Sequence, residues 1–532
     1  MATATETIAQ PSSTASPWWD RIDHWCEQFG DALNPILVKE TRQALKSRQF
    51  VMTFSVLLFA ALGWTIVGSL MMMPQIYTSP SAPWMLTGYY VVLAVPLLMV
   101  VPLAAYRSLE GEIDDGTLEL LSITTLSPWQ IVLGKLASAS LQMLLYFVAL
   151  FPCVAYAYTL RGVDLPTTLL MVAMLIVGAL LLTVIALFFA PLARTRTGRI
   201  ATLLAVMMIL LFAEYFIGLL AISMIQFGNP LPTGSLIYIV VATLILGTAI
   251  GHLLLTATAA QLTPESENRS TSLRLSLLAL VTVGIGVAAY GMQTLDRLGE
   301  AVFLIFAMAL GGLWAVGSCL MVAESANMTP RIRRELPSSF LARLTLTWVT
   351  PGPGTGLVFA TVGAVLLAAL AIVGIDFLMD QQPGRAPFAG RIRNLVEQLS
   401  LLSVSYLVAF LVIVRWIVAL VRINNHPRAE IGIAAFVAVA VVFSLVPYSI
   451  GLHVNDYRNF DYSRWQITNW AWTIVEAADG KLAKGEEYYV AAAACAIFLF
   501  NLLLMPTTVL PRRTATPARV QEELAATTQR GV

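Results

Sequence analysis

The sequence predicts an all-α, polytopic membrane protein with about twelve transmembrane helices and both termini in the cytoplasm. Three observations carry that expectation. First, hydrophobic residues make up 58% of the 532 residues and charged residues only 12%, with a mean hydropathy of +0.76. An apolar excess of that size is more than one soluble core can bury, so it needs a bilayer as solvent. Second, apolar runs of about 20 residues recur along the chain, each long enough to cross the hydrocarbon layer. Third, lysine and arginine segregate. With the N-terminus inside, 22 fall in cytoplasmic segments and 9 in outer ones, leaving Arg415 within a span. The net charge of +1 offers no electrostatic basis for nucleic-acid binding, so the lipid bilayer is the one extended partner that composition implies.

Taken in order, residues 1–50 read as a cytoplasmic tail followed by an amphipathic interfacial helix. The tail lacks the basic start and apolar core of a signal peptide. Trp18, Trp19, Ile22, Trp25, Phe29 and Leu33 recur at three- and four-residue spacing, with Asp20, Arg21, Asp23 and Glu27 between them. "NPILVKETRQALKSRQF" then brings Lys39, Arg42, Lys46 and Arg48 to the edge of the first span, either as a positive-inside flank or as a dedicated elbow helix. Six spans are expected within 51–262, near 51–73, 88–106, 137–160, 168–192, 201–225 and 235–260. Six more fall within 263–510, near 275–294, 301–323, 356–378, 399–421, 430–450 and 488–508, and 511–532 forms a cytoplasmic tail. Arg385, Arg391 and Arg393 on the outer side run against the charge rule, and the sequence supplies no account of them. The polar, aromatic outer loop 451–487 reads as a tether, with a folded cap as the alternative.

Several chemistries leave no trace. A phosphate-cradling G-x-x-x-x-G-K-[ST] loop, a G-x-S-x-G elbow and an H-E-x-x-H helix are all missing from the sequence. Four cysteines and four histidines are scattered, so no metal and no cofactor is expected. "PGPGTG" at 351–356 reads as a flexible turn before a span, and "GTAIG" from Gly247 to Gly251 fits close helix packing. Within spans, an ionisable group costs about 2.5–3.5 kcal/mol on insertion scales unless it faces protein or water. Glu214 and His252 are therefore candidates for a substrate pathway. Arg415, about two turns from the cytoplasmic edge, is placed to snorkel.

The most unusual stretch is the loop 107–135 between the second and third spans. It places Glu110, Glu112, Asp114, Asp115 and Glu119 together in an otherwise greasy chain. Leu118, Leu120, Leu121, Ile123 and Leu126 give it an apolar face, as for a short helix lying along the membrane, and Ser127-Pro128 begins the next helix with proline in its favoured first turn. Carboxylates do not attract anionic lipid; they suit a basic protein partner, or else merely solvate a connector.

"EIDDGTLELLSITTLSPWQIVLGKL" resembles the first intracellular loop of permease subunits of ATP-binding-cassette (ABC) transporters of the type-2 exporter class. Glu112, Gly116, Thr117, Leu118, Glu119, Leu120, Leu121, Leu126, Ser127, Ile131, Gly134 and Lys135 match that family's pattern in place, and Thr125 departs from its usual proline. "NPILVKETRQALKSRQF" and "APLARTRTGR" (190–199) are similar to further family elements. The resemblance covers about the first 260 residues, the six-span core, and the second half has no matching acidic loop. It implies a permease in the cell (inner) membrane that is not itself an enzyme. It also implies a separate ABC ATPase subunit, and a homodimer or heterodimer with a second permease. Docking residues implied are Glu112, Asp114, Gly116, Thr117, Glu119, Leu120, Leu121, Leu126 and Ser127. The alternatives are an ion-coupled secondary transporter, a membrane-embedded enzyme, and a non-transporting anchor for an ATPase in the assembly of a surface or redox protein. A secondary transporter would want paired carboxylates or broken helices at midplane, where Glu214 stands alone.

Overall fold

The computed structural model describes residues 35–522 apart from 75, 77, 118–125, 164, 194, 229–231, 265–266, 296–298, 326–327, 338, 381–385, 424–428, 430, 459–460, 484, 505–508, 510, 512, 516 and 520–521. The aromatic repeat from Trp18 to Leu33 and most of the tail after 511 thus lie outside the described residues. Among the described residues every regular element is helical, and twelve helices are long and apolar enough to cross a membrane. The architecture is that of an all-α, multi-pass membrane protein, as composition predicts.

The chain divides into two compact units, Met1–Pro230 and Leu231–Val532. In the first, α1 (Pro35–Lys46) precedes the spans α2 (Arg48–Met71), α3 (Ala82–Asp114), α4 (Pro128–Thr159), α5 (Leu165–Phe189) and α6 (Arg196–Phe227). The centre of this unit is α3. Met85, Leu86, Tyr89, Leu97, Leu98, Tyr106 and Leu109 are almost fully buried along it, against α4, α5 and α6. By contrast α2 leaves Phe59, Ile66 and Leu70 exposed, the pattern of a helix that faces lipid. A π segment, Val95–Val100, interrupts α3. Pro96 and Pro102 lack N–H donors, so the carbonyls of Val92 and Leu98 lose their regular partners there.

The second unit holds α7 (Thr233–Leu262), α8 (Ser270–Thr294) and α9 (Gly299–Val322). After two short helices, α10 (Pro330–Glu335) and α11 (Phe340–Leu346), come the spans α12 (Pro353–Asp380), α13 (Ala386–Val421) and α14 (Ile431–Val454). The short α15 (Trp470–Ala478) and the last span, α16 (Glu486–Leu504), complete it. Leu402, Phe410, Leu411, Val412, Val414 and Val418 bury α13 among α12, α14 and α16. The sixth span, α7, belongs to this unit, packing on α8 with Gly247 and Gly251 both buried. The sequence reading groups that span with the first five, because hydropathy does not say which neighbour a span packs against.

Helices run past the spans read from hydropathy. The second extends to Asp114 instead of 106, and the third begins at Pro128 instead of 137. Hydropathy marks only the part inside hydrocarbon, whereas caps and ion pairs hold the polar ends. The outer loop 451–487 is not a plain tether but carries a folded cap. Trp470 donates to the Ala440 carbonyl at 2.8 Å, Gln466 to that of Pro447 at 3.1 Å, and Tyr406 to that of Ile467. Arg464 pairs with Glu486 at 3.2 Å, and Tyr462, whose phenol burial pushes up, shares a 3.1 Å hydrogen bond with Thr473. The outer Arg393 is paired with Asp376 at 2.9 Å, which supplies a local account of one of the three arginines that break the charge rule.

Candidate functional site

The site is built where α1, α3, α4 and α6 meet, at the end of the first unit predicted to face the cytoplasm. α1 is the elbow helix of the two readings above. Ile36 and Glu40 are buried on its inner face, while Lys39, Arg42 and Gln43 are exposed. It packs along α4, whose first turn is fixed by Ser127. The Ser127 hydroxyl accepts from Gln130 N, the Gln130 side chain accepts from Ser127 N, and Pro128 occupies the first turn. That leaves Lys135 two turns into α4 on the buried side, its side chain only 1% exposed.

A buried ammonium needs full compensation. Lys135 Nζ donates to Ser108 Oγ at 2.8 Å and to Glu40 Oε1 at 3.2 Å, and stands 3.1 Å from Glu112 Oε2. Ser108 also donates to Glu40 Oε2 at 3.0 Å. The other Glu112 oxygen pairs with Lys39 at 3.3 Å. Helices α1, α3 and α4 are thereby tied through one network. Two residues beyond Glu112, Asp114 pairs with Arg199 at the start of α6, where Thr195 caps that helix.

The acidic run is therefore not an open loop up to Asp114. Residues 108–114 are the last turns of α3, and Glu112 and Asp114 are engaged by this chain's own cations. The helix stops at Gly116, whose φ of +67° favours glycine, and Thr117 Oγ1 returns a bond to the Glu112 carbonyl at 3.1 Å. Leu126 is half-buried and Ser127 exposed. Glu119, Leu120 and Leu121 lie outside the described residues. The sequence reading misses Glu40, Ser108 and Arg199 as partners; the signal was a lysine well inside a helix with no room to reach water.

The remaining candidates do not join this cluster. Glu214 is half-buried on α6 beside Tyr90 of α3. His252 belongs to the second unit, where its ring nitrogen Nδ1 lies 3.2 Å from Ser276 Oγ. Arg415 is buried in α13 and does not snorkel.

The second unit has its own buried cation. Arg274 in α8 is fully enclosed. Its guanidinium donates to the carbonyls of Trp348, Thr350 and Gly352 at 2.7, 2.6 and 3.2 Å and to Glu324 at 2.8 Å. Glu324 also accepts from Gly352 N at 2.7 Å, and Arg422 donates to the Ala323 carbonyl at 2.5 Å. The glycine-rich 351–356 is thus a fixed turn wrapped around an arginine. Gly352 has a φ of +134°, which a side chain would strain, and a Cβ on Gly356 would lie 2.6 Å from the Met321 carbonyl oxygen. Among the described residues no group of three or more metal-ligating side chains is found. Comparison with protein families, with curated proteins and with solved structures finds no match to this chain.

Proposed function

We propose that this chain is the membrane permease subunit of an ATP-driven ABC transporter, an exporter of the inner membrane, worked by a separate ATPase subunit and paired with a second permease. The observation that carries the reading is the block from Glu112 to Lys135, which lies between two spans and resembles the family's first intracellular loop at twelve positions, with Thr125 departing from its usual proline. The ion network supports it physically. A connector that receives force from a partner is useful only if its two ends are rigidly joined to the spans. Lys135 joins the end of α3 to α4 and α1, and Asp114–Arg199 joins it to α6. A displacement of 117–126 on closure of the ATPase would then move several helices together, switching the spans between inward- and outward-facing states.

In this reading the two kinds of carboxylate divide their work. Glu112 and Asp114 hold the frame, while Glu119, Leu120, Leu121 and Leu126 meet the ATPase. Glu214 and His252 remain candidates for the substrate pathway. The test is whether an ABC ATPase co-purifies with the chain from its native membrane. Glu119→Lys and the pair Leu120→Ala with Leu121→Ala should each reduce the retained ATPase while leaving membrane insertion intact. The charge variant should respond to ionic strength and the leucine variant should not, because an exposed electrostatic contact is screened within about 8–10 Å. The chain alone should bind no ATP. Full retention of the ATPase by both variants, or stoichiometric ATP binding by the isolated chain, overturns the reading.

A further inference from the structure

Between α9 and α12 the chain carries α10 and α11, on the side that the charge rule assigns to the cytoplasm. The two short helices differ in what they bury. α10 packs through Ile332, and the next residue but one after its last arginine, Leu336, is buried too. α11 instead leaves Leu341 74% and Leu346 56% exposed, with Arg343 and Thr345 exposed beside them. At helical spacing Leu341, Thr345, Leu346 and Arg343 follow one another around one side of the helix. An apolar face this open needs a cover, and the depth of the helix in the membrane decides which.

That depth is fixed by Arg274, which stands immediately before the apolar run 275–294 and so at the level of the headgroups. Its guanidinium holds the carbonyls of Trp348 and Thr350, and Thr271 Oγ1 donates to that of Val349 at 3.0 Å. Leu346 is two residues from Trp348, so the end of α11 lies within about 7 Å of that level. The charges suit the place. Arg333, Arg343 and Arg513 are exposed and make no ion pair among the described residues. Arg513 Nε donates to the Arg334 carbonyl at 3.3 Å, which brings that cation to α10. The nearby carboxylates Glu324 and Glu267 are already paired with Arg274 and Arg331, which leaves Glu335 as the one further carboxylate of 323–352. We propose that α11 lies in the inner headgroup layer as an anchor for anionic phospholipid. Leu341 and Leu346 enter the acyl boundary, and Arg333, Arg343 and Arg513 donate to the phosphates. Free phosphate could meet the arginines but cannot cover the leucines. A protein partner would have to reach into the headgroup layer to do so. The anchor does not depend on an ATPase binding the first unit.

The test uses the full chain with Thr345→Cys, which keeps both leucines and replaces a hydroxyl bonded only to its own helix at Leu341. The chain is placed in nanodiscs of dioleoylphosphatidylcholine, alone or mixed equally with dioleoylphosphatidylglycerol. Labelling by a bulky, uncharged polyethylene-glycol maleimide is read at residue 345 by peptide mass spectrometry, so the native cysteines do not interfere. Each arginine near an anionic surface favours the covered state about fivefold. Labelling should therefore be at least about tenfold slower in the mixed discs, and Arg333→Gln with Arg343→Gln should remove most of that difference. Leu341→Ser with Leu346→Ser should restore fast labelling in the mixed discs. All four side chains are exposed, so the unfolding midpoint should stay that of the parent. Equal labelling in the two kinds of disc, or a difference that survives the arginine substitutions, overturns the proposal. Protection by inorganic phosphate in phosphatidylcholine discs, at matched ionic strength and equal to that by phosphatidylglycerol, overturns the assignment to a lipid. Protection that appears only when an ABC ATPase is added assigns the face to a protein and overturns it as well.

Discussion

Lys135 in the first unit and Arg274 in the second are both cations buried near the starts of helices, yet they are compensated in opposite ways. Lys135 is a point charge met mainly by side chains, Glu40, Ser108 and Glu112, from two other helices. Arg274 is a planar fork met mainly by backbone, three carbonyls of one turn, with Glu324 as its counter-charge. The first arrangement joins helices and borders open space. The second fixes a loop and is closed on every side. An ammonium can turn its three donors toward partners that shift, whereas a guanidinium dictates where its acceptors stand. A network of the first kind suits a place where helices move together, and one of the second kind suits a place that must not move.

This contrast can be broken most directly at Arg274. Arg274→Met strands three carbonyls and the Glu324 carboxylate in an enclosed space, and should destabilise the chain by about 5 kcal/mol, the upper end for breaking a buried pair. Thermal unfolding in detergent reads it. Arg274→Lys should recover little of the loss, since a lysine cannot span the same acceptors. Parent-like stability of the lysine variant would show that the fork is not what matters.

Lys135→Met should cost less, about 3 kcal/mol, the lower end of the same range, because water can reach Glu40 and Glu112 from an adjoining cavity of about 520 Å3. A loss matching that of Arg274→Met would erase the distinction between the open and closed networks.

Two glycines sharpen the same point. Gly356→Ala puts a Cβ 2.6 Å from the Met321 carbonyl and 3.1 Å from Arg274 Nη2, and should cost about 1–3 kcal/mol through overpacking. Gly111→Ala meets nothing, lies in a helix, and should instead gain about 0.5–1 kcal/mol. The opposite signs would be seen as opposite shifts of the unfolding midpoint.

The smallest effect is expected at the rim. Arg199 and Asp114 are 30% and 43% exposed. Asp114→Asn should therefore change stability by about 0–1 kcal/mol, with the difference vanishing in high salt. A large, salt-independent loss would place this pair with the buried networks.

Much of this molecule was settled by sequence alone. The class, the number of spans and the start of α4 follow from local chemistry: apolar length against bilayer thickness, and Ser127-Pro128 at a helix start. The acidic stretch before Gly116 was legible as unusual, and its resemblance to a known loop was legible with it. What paired with what was not. Glu40 reaches Lys135 across 95 residues, and Arg274 reaches the 348–352 turn across more than 70. Hydropathy averages over a window and has no term for a contact between distant helices, so it did not show that the sixth span packs on α8, and it took the 351–356 turn for flexible chain. Tertiary structure alone decided that Glu112 turns inward to Lys135 while Asp114 stays at the rim beside Arg199, because a carboxylate exposed in one arrangement of helices is buried beside a cation in another. The side chain is the same, and only the packing fixes which solvent it meets.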